Sequence, residues 1–118
     1  MNNFKIFDAE FKFMEIVWEN SPIKSSDLVK LTHDKLGWKK STTYTVIRRL
    51  KERNIIANEN AIVTALIDRE AVQLSETEEL IDKVYSGSIK KFFSTFLQKE
   101  NLSKKDIKEL KKIVDELE

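Results

Sequence analysis

Residues 39–49 read Lys-Lys-Ser-Thr-Thr-Tyr-Thr-Val-Ile-Arg-Arg. On a helix advancing about 100° per residue, Thr43, Val46, Ile47 and Leu50 share one face. Ser41, Thr45 and Arg48 lie opposite, with Thr42 and Arg49 on one flank and Tyr44 and Lys51 on the other. Short hydroxyl side chains allow close approach to a base-pair edge, while guanidinium and ammonium groups reach base edges and phosphates. The chemistry suited to this face is recognition of duplex DNA. By reach, Ser41, Thr42, Tyr44, Thr45 and Arg48 are candidates for base edges, and Lys39, Lys40 and Arg49 for phosphates.

Other chemistries find little material. The chain has no cysteine and one histidine, His33, so a thiolate or multi-histidine metal site is not expected, and no cofactor is implied. Gly37 and Gly87 stand apart and form no phosphate loop. The carboxylates alternate with lysines at helical spacing, the pattern of solvated faces, and no nucleophile–base pair is evident. An enzyme is not expected.

The net charge of +1 hides a segregation. Lys39, Lys40, Arg48, Arg49, Lys51 and Arg53 cluster in one segment opposed by Glu52, whereas residues 68–82 are as acidic as that segment is basic. A surface of one sign follows whatever the total. The start, Met-Asn-Asn-Phe-Lys, lacks the apolar core of a signal peptide, and the apolar stretch 61–67 is far short of the ~20 residues of a membrane span. The expectation is a cytoplasmic protein without a membrane partner.

The elements that must position the basic face can be read in order. A first helix over Asp8–Asn20 turns Phe11, Met14, Val17 and Trp18 inward, with Asp8 as expected cap and Glu10 in its first turn. Ser21-Pro22 ends it. Ser25 or Ser26 caps a second helix that carries Leu28, Leu31 and Leu36 inward and stops at Gly37. Trp38 is read as a core plug. The third helix runs from near Ser41 to near Asn54. Ile55-Ile56 and Ile62–Ile67 then form a hairpin around the turn residues Asn58-Glu59-Asn60.

Three helices and a hairpin give the winged helix-turn-helix plan. The expected fold is mainly α, with a short β-hairpin wing in a DNA-binding domain over residues 1–70 and a helical dimerisation domain over 71–118. From about Ala71 to Leu97 one long helix is expected, with Gly87 marking a bend or a close helix approach, and with Ile81, Tyr85, Ile89, Phe92 and Phe96 on a near-heptad seam. Leu80, Val84, Phe93 and Leu97 widen that stripe. A last helix capped by Ser103 and Asp106 presents Ile107, Leu110, Ile113 or Val114, and Leu117. This apolar surface is more than one small arm hides alone, which points to a homodimer through Ile81, Tyr85, Ile89, Phe92, Phe93, Phe96, Leu97, Ile107, Leu110 and Val114.

Asp8-Ala9-Glu10, Met14 and Trp18 resemble the opening of the penicillinase-repressor family of winged-helix transcriptional repressors, of BlaI, MecI and CopY type. So do Trp38–Thr45 running into Arg49-Leu50, and, in the arm, Val84–Gly87, the Phe-rich run and Leu102–Leu110. The resemblance covers nearly the whole chain. It implies a homodimeric repressor of a pseudo-palindromic DNA operator, often one governing antibiotic resistance. It also implies inactivation by a sensor-linked protease, with the cut corresponding here to Thr95-Phe96.

Four departures from the family stand out. Relatives carry Asn where this chain has Thr95, and usually Ser where Phe7 stands. The copper branch has a cysteine-rich tail, absent here, which excludes copper sensing by that route. The wing, Asn58–Thr64, lacks the basic and aromatic residues of relatives, so recognition is expected to lean on the third helix. The short wing and the acidic 68–82 stretch leave an alternative open, a winged-helix protein-interaction module without sequence-specific DNA binding.

Overall fold

A computed structural model describes residues 5–117. Residues 1–4, which begin the start read for a signal peptide, lie outside the described residues, as does residue 118. The described elements run α1 (Asp8–Asn20), β1 (Ile23–Lys24), α2 (Ser25–Leu36), α3 (Lys40–Glu52), β2 (Ile56–Glu59), β3 (Ile62–Ala65), α4 (Arg69–Tyr85), α5 (Ile89–Lys99) and α6 (Lys104–Asp115). The chain divides into two compact units, one ending at Thr77 and one beginning at Glu78, so the division falls inside α4.

The N-terminal unit is built on one core. Phe13, Met14, Ile16 and Val17 of α1 meet Leu28 of α2, Val46, Ile47 and Leu50 of α3, Ile55, Ile56, Val63 and Val72. The expected α1 stripe therefore rotates: Phe13 and Ile16 are buried, while Phe11 and Trp18 sit half-buried at its edge. The Trp18 rim is polar, its indole N–H donating to the Ile67 carbonyl at 2.9 Å. Trp38 is the expected plug, stacked on Phe13 with ring centroids 5.8 Å apart.

Helix starts differ from expectation in physically instructive ways. Phe7, not Asp8, occupies the N-cap of α1 and offers no acceptor. The Phe7 N–H itself is met from inside the helix, donating to Glu10 Oε1 at 3.0 Å. Neither Ser25 nor Ser26 caps α2; Lys24 does, without a side-chain bond, and Ser25 is buried with its N–H given to the Ala61 carbonyl at 2.8 Å. The hairpin turn thereby meets one of the free amides of the helix's first turn. By contrast, Asp68 caps α4, accepting from the Ala71 N–H at 2.8 Å.

The wing is a three-stranded antiparallel sheet of order β1-β3-β2, with Ile23 opposite Val63 and Asn58 opposite Val63 on the other side. Ile23, expected as an isolated apolar position, is thus a strand residue. The turn falls one step later than expected, at Asn60-Ala61, both left-handed with φ of 53° and 62°. Two consecutive left-handed residues are the two-residue hairpin geometry whose twist matches the flanking strands.

In the C-terminal unit the expected long helix is two helices. Ser86 and Gly87 take φ of 52° and 79°, which no helix continues through, and Ser88 caps α5 by accepting from the Lys91 N–H at 3.1 Å. Gly87 is therefore a helix break rather than a bend. The Ser103–Asp106 capping box of α6 forms as expected, with Ser103 Oγ accepting from the Asp106 N–H at 3.0 Å and Asp106 accepting in return at 3.4 Å.

Candidate nucleic-acid interface

The segment that could enter a groove is α3, and its placement begins with the turn before it. Gly37 adopts φ 70°, a left-handed value that only glycine takes without strain. Its N–H returns to the His33 carbonyl at 3.0 Å, and the Trp38 N–H reaches the Thr32 carbonyl at 3.3 Å. His33 Nδ1 lies 3.3 Å from the Trp38 carbonyl, so the lone histidine belongs to this turn.

The two helices are then locked by a polar contact in an apolar setting. Thr32 and Thr43 are both fully buried, and their hydroxyl oxygens lie 2.6 Å apart. Because Thr32 donates to the Val29 carbonyl at 3.1 Å, Thr43 is the donor between the hydroxyls. Each buried oxygen is satisfied in this one register, so the bond fixes how α3 lies on α2. Sequence reading placed Thr43 on the buried face but missed Thr32. Its spacing of 25, 28 and 32 with Ser25 and Leu28 was the available signal.

Those constraints leave α3 with the expected outward face. Lys39, Lys40, Ser41, Thr42, Tyr44, Arg48 and Arg49 are all exposed, and Thr45 is half-buried. Thr45 Oγ1 donates to the Ser41 carbonyl at 2.9 Å, and Lys40 Nζ lies 6.0 Å from the Tyr44 ring centroid. Lys39 is the N-cap, with no acidic residue in the first turn, and the Thr43 N–H makes the first helical bond, to the Lys39 carbonyl at 3.2 Å. The amides ahead of it lie at the positive end of the helix dipole beside two ammonium groups, a setting that favours anions.

One cation of the basic segment is not free to join them. Arg53 forks onto Glu10, with Nη2–Oε1 at 2.7 Å and Nη1–Oε2 at 3.2 Å, and also donates to the Lys5 carbonyl at 3.1 Å. Glu10 is itself buried, so the pair is a structural joint between α3 and α1. No sequence spacing joins positions 10 and 53: Glu10 was read as a first-turn anion and Arg53 as one cation of the basic segment, not as partners. At the wing tip, Glu59, Asn60 and Ala61 are exposed, and residues 54–68 contain no Lys or Arg.

In the C-terminal unit, Ile81 is buried and Tyr85 and Phe92 are half-buried, with Tyr85 edge-on to Phe92 at 5.4 Å. Ile89, Phe93, Phe96, Leu97, Ile107, Leu110 and Val114 are exposed. Thr95 and Phe96 lie on an exposed stretch of α5. Among the described residues no helix is long and apolar enough to cross a membrane.

The penicillinase repressor family model matches residues 6–116. The chain belongs to that family. Among its relatives is the methicillin resistance regulatory protein MecI of Staphylococcus aureus strain Mu50, 27% identical over 116 residues that cover 95% of this chain and 94% of MecI. The penicillinase repressor of Bacillus licheniformis is 24% identical over 95% of this chain and 91% of its own length. Two solution structures share the fold. The DNA-binding domain of the repressor BlaI matches with TM-score 0.52 and 24% identity over 59% of this chain and 90% of that domain. The monomeric form of Bacillus licheniformis BlaI, solved in complex with the blaP half-operator, matches with TM-score 0.51 at the same identity and coverage. The winged helix-turn-helix read from the sequence is the fold observed, in a family of transcriptional repressors.

Proposed function

We propose that this repressor binds duplex DNA as a homodimer, each copy laying the exposed face of α3 in the major groove of one half of a pseudo-palindromic operator. The observation that carries the proposal is the α3 face itself. Hydroxyls and cations line it, with no ion pair within the face among the described residues, at the end of a turn that buried threonines hold in register. Ser41, Thr42, Tyr44, Thr45 and Arg48 are assigned to base edges, and Lys39, Lys40 and Arg49 to phosphates. Family membership and a relative solved with a half-operator support the same reading.

The dimer is assigned to the arm, where Phe93, Phe96, Leu97, Ile107, Leu110 and Val114 stand exposed on α5 and α6. Leu97, Ile107, Leu110 and Val114 line one apolar groove that a second arm would fill. We also assign repressor inactivation to proteolysis at Thr95-Phe96. A protease takes an extended chain, so α5 must open locally, and a helix without a buried residue opens at small cost. A fragment ending at Thr95 in induced cells checks this; an uncut repressor after induction rejects it.

The protein-interaction alternative loses part of its motive. Of the acidic stretch that suggested it, Asp68 caps α4 and Glu76 binds the Ile6 N–H.

The test is a titration of the protein against genomic duplex fragments over a range of salt. Specific binding that weakens steeply with salt is expected. Arg48→Ala should lose about 1–3 kcal/mol and relax sequence preference, whereas Lys40→Ala should weaken all sequences alike. Binding that ignores salt, or both variants binding as the parent does, rejects the assignment of α3.

A further inference from the structure

Three consecutive residues ahead of α1 are gripped by three different helices. The Lys5 carbonyl accepts from Arg53 Nη2, at the end of α3, at 3.1 Å. The Ile6 N–H donates to Glu76 Oε1 on α4 at 3.3 Å. The Phe7 N–H donates to Glu10 Oε1 on α1 at 3.0 Å, and this carboxylate also takes both Arg53 nitrogens. Between these bonds the Ile6 side chain is buried in the same core as Val72 of α4. Lys5–Phe7 is thus a strap, with the end of the reading helix on one side and the root of α4 on the other.

Neither family membership nor the proposed contacts of α3 account for that arrangement. Capping α1 needs Glu10 alone. What Arg53 and Glu76 add is a hydrogen-bonded connection between two elements that follow one another through the wing and share one apolar core.

We infer that the strap is a positioning device. Through Glu76 and Arg53 it fixes the direction in which α4 leaves the N-terminal unit relative to α3, and so sets the half-site spacing that the dimer accepts. The inference rests on the dimeric operator reading above. The first turn of α4 is held by the Asp68 cap and buried Val72, and Glu76, one turn further on, is the bond that resists a swing. At about 1.5 Å per residue Tyr85 lies about 14 Å beyond Glu76, so a swing of roughly 10° moves it roughly 2.5 Å. That is most of the rise of one base pair, about 3.4 Å. A dimer whose reading helices shift by this amount no longer matches both half-sites at once, although each half-site is still read normally.

The experiment uses the full chain and a symmetric duplex selected by the wild-type protein from a random library. A half-site is cut from it, and two further duplexes have one base pair added or removed at the centre. Glu76→Ala should bind the half-site within about twofold of wild type, as a partly exposed residue far from the reading face allows. On the symmetric duplex it should lose about tenfold, because simultaneous engagement is what the spacing supports, and its preference among the three spacings should flatten. Glu76→Gln keeps an acceptor for the Ile6 N–H and should restore the wild-type preference. Arg53→Lys, at the other end of the strap, should flatten it as Glu76→Ala does. The proposal is overturned if Glu76→Ala keeps the wild-type spacing preference, or if it loses affinity equally on half and full sites, as a generally destabilised protein would. A wild-type protein that binds no duplex, or binds half and full sites alike, overturns the dimeric reading and the strap's role with it.

Discussion

Phe13, Met14, Val17, Leu28 and Leu50 are fully sequestered in the N-terminal unit, whereas α5 and α6 bury no residue at all. Both regions present apolar stripes at helical spacing. They differ in what surrounds the stripe. In the first, three helices and a sheet close over it, and buried Thr32 and Glu10 find partners in Thr43 and Arg53. In the second, Phe96 and Leu110 remain 49% and 37% exposed on helices whose ends are nevertheless well capped. Local signals make a helix, but only a second surface makes a core. The first region holds its own second surface; the second is proposed to take it from another copy of the chain.

The substitution with the largest expected effect attacks that proposal. Phe96→Glu places a charge on the exposed apolar face of α5, and light scattering should report half the parent mass. Operator affinity should fall by about 10²–10⁴-fold, the advantage of engaging two half-sites together. Trp18 and Trp38 both lie in the N-terminal unit, so their near-ultraviolet signal should not change. A Phe96→Glu protein with the parent's mass removes the arm from the interface.

Next in size is one truncation made in both regions. Leu50→Ala opens a cavity in a closed core and should lower stability by about 2–5 kcal/mol at every protein concentration. Leu110→Ala should instead give a loss that depends on concentration, since a contact between copies contributes by mass action. Thermal unfolding of each variant over a hundredfold range of concentration separates the two behaviours. If Leu110→Ala is as insensitive to concentration as Leu50→Ala, α6 packs within its own chain.

How far each region could be read from sequence follows from the same contrast. The α3 wheel was legible because one aliphatic face and one hydroxyl-and-cation face alternate at a fixed period. Thr43, Val46, Ile47 and Leu50 are buried as that period requires. The Ser103–Asp106 box was legible because its partners are three residues apart. The bonds that set geometry between elements were not: Thr32 with Thr43, Glu10 with Arg53 and Ile6 with Glu76 are separated by 11, 43 and 70 residues, and no local pattern pairs them. The break between α4 and α5 was hidden by an apolar seam whose spacing runs on through it. Only Ser86-Gly87-Ser88 marked it, and a single glycine reads equally well as a bend. The strand β1 is two residues long and exists only through its bonds to β3, so nothing in its own composition announced it.

The smallest expected effect lies in the wing and sharpens the contrast within the N-terminal unit itself. Ala61 is held at φ 62°, where a side chain meets the neighbouring carbonyl oxygen at a cost of about 1–2 kcal/mol. Ala61→Gly removes that strain but frees the unfolded chain, which takes back about 0.5–1 kcal/mol. The net should be a gain of roughly 0.5 kcal/mol, and Asn-Gly is the pair that this hairpin geometry favours. Ala61 is exposed at the tip beside Glu59, and strands β2 and β3 carry no Lys or Arg. If recognition rests on α3 and not on the wing, the stabilised variant should bind DNA with unchanged affinity and salt dependence. A raised melting temperature with weakened binding would give the wing tip a contact that its side chains do not suggest. That contact would have to run through its backbone.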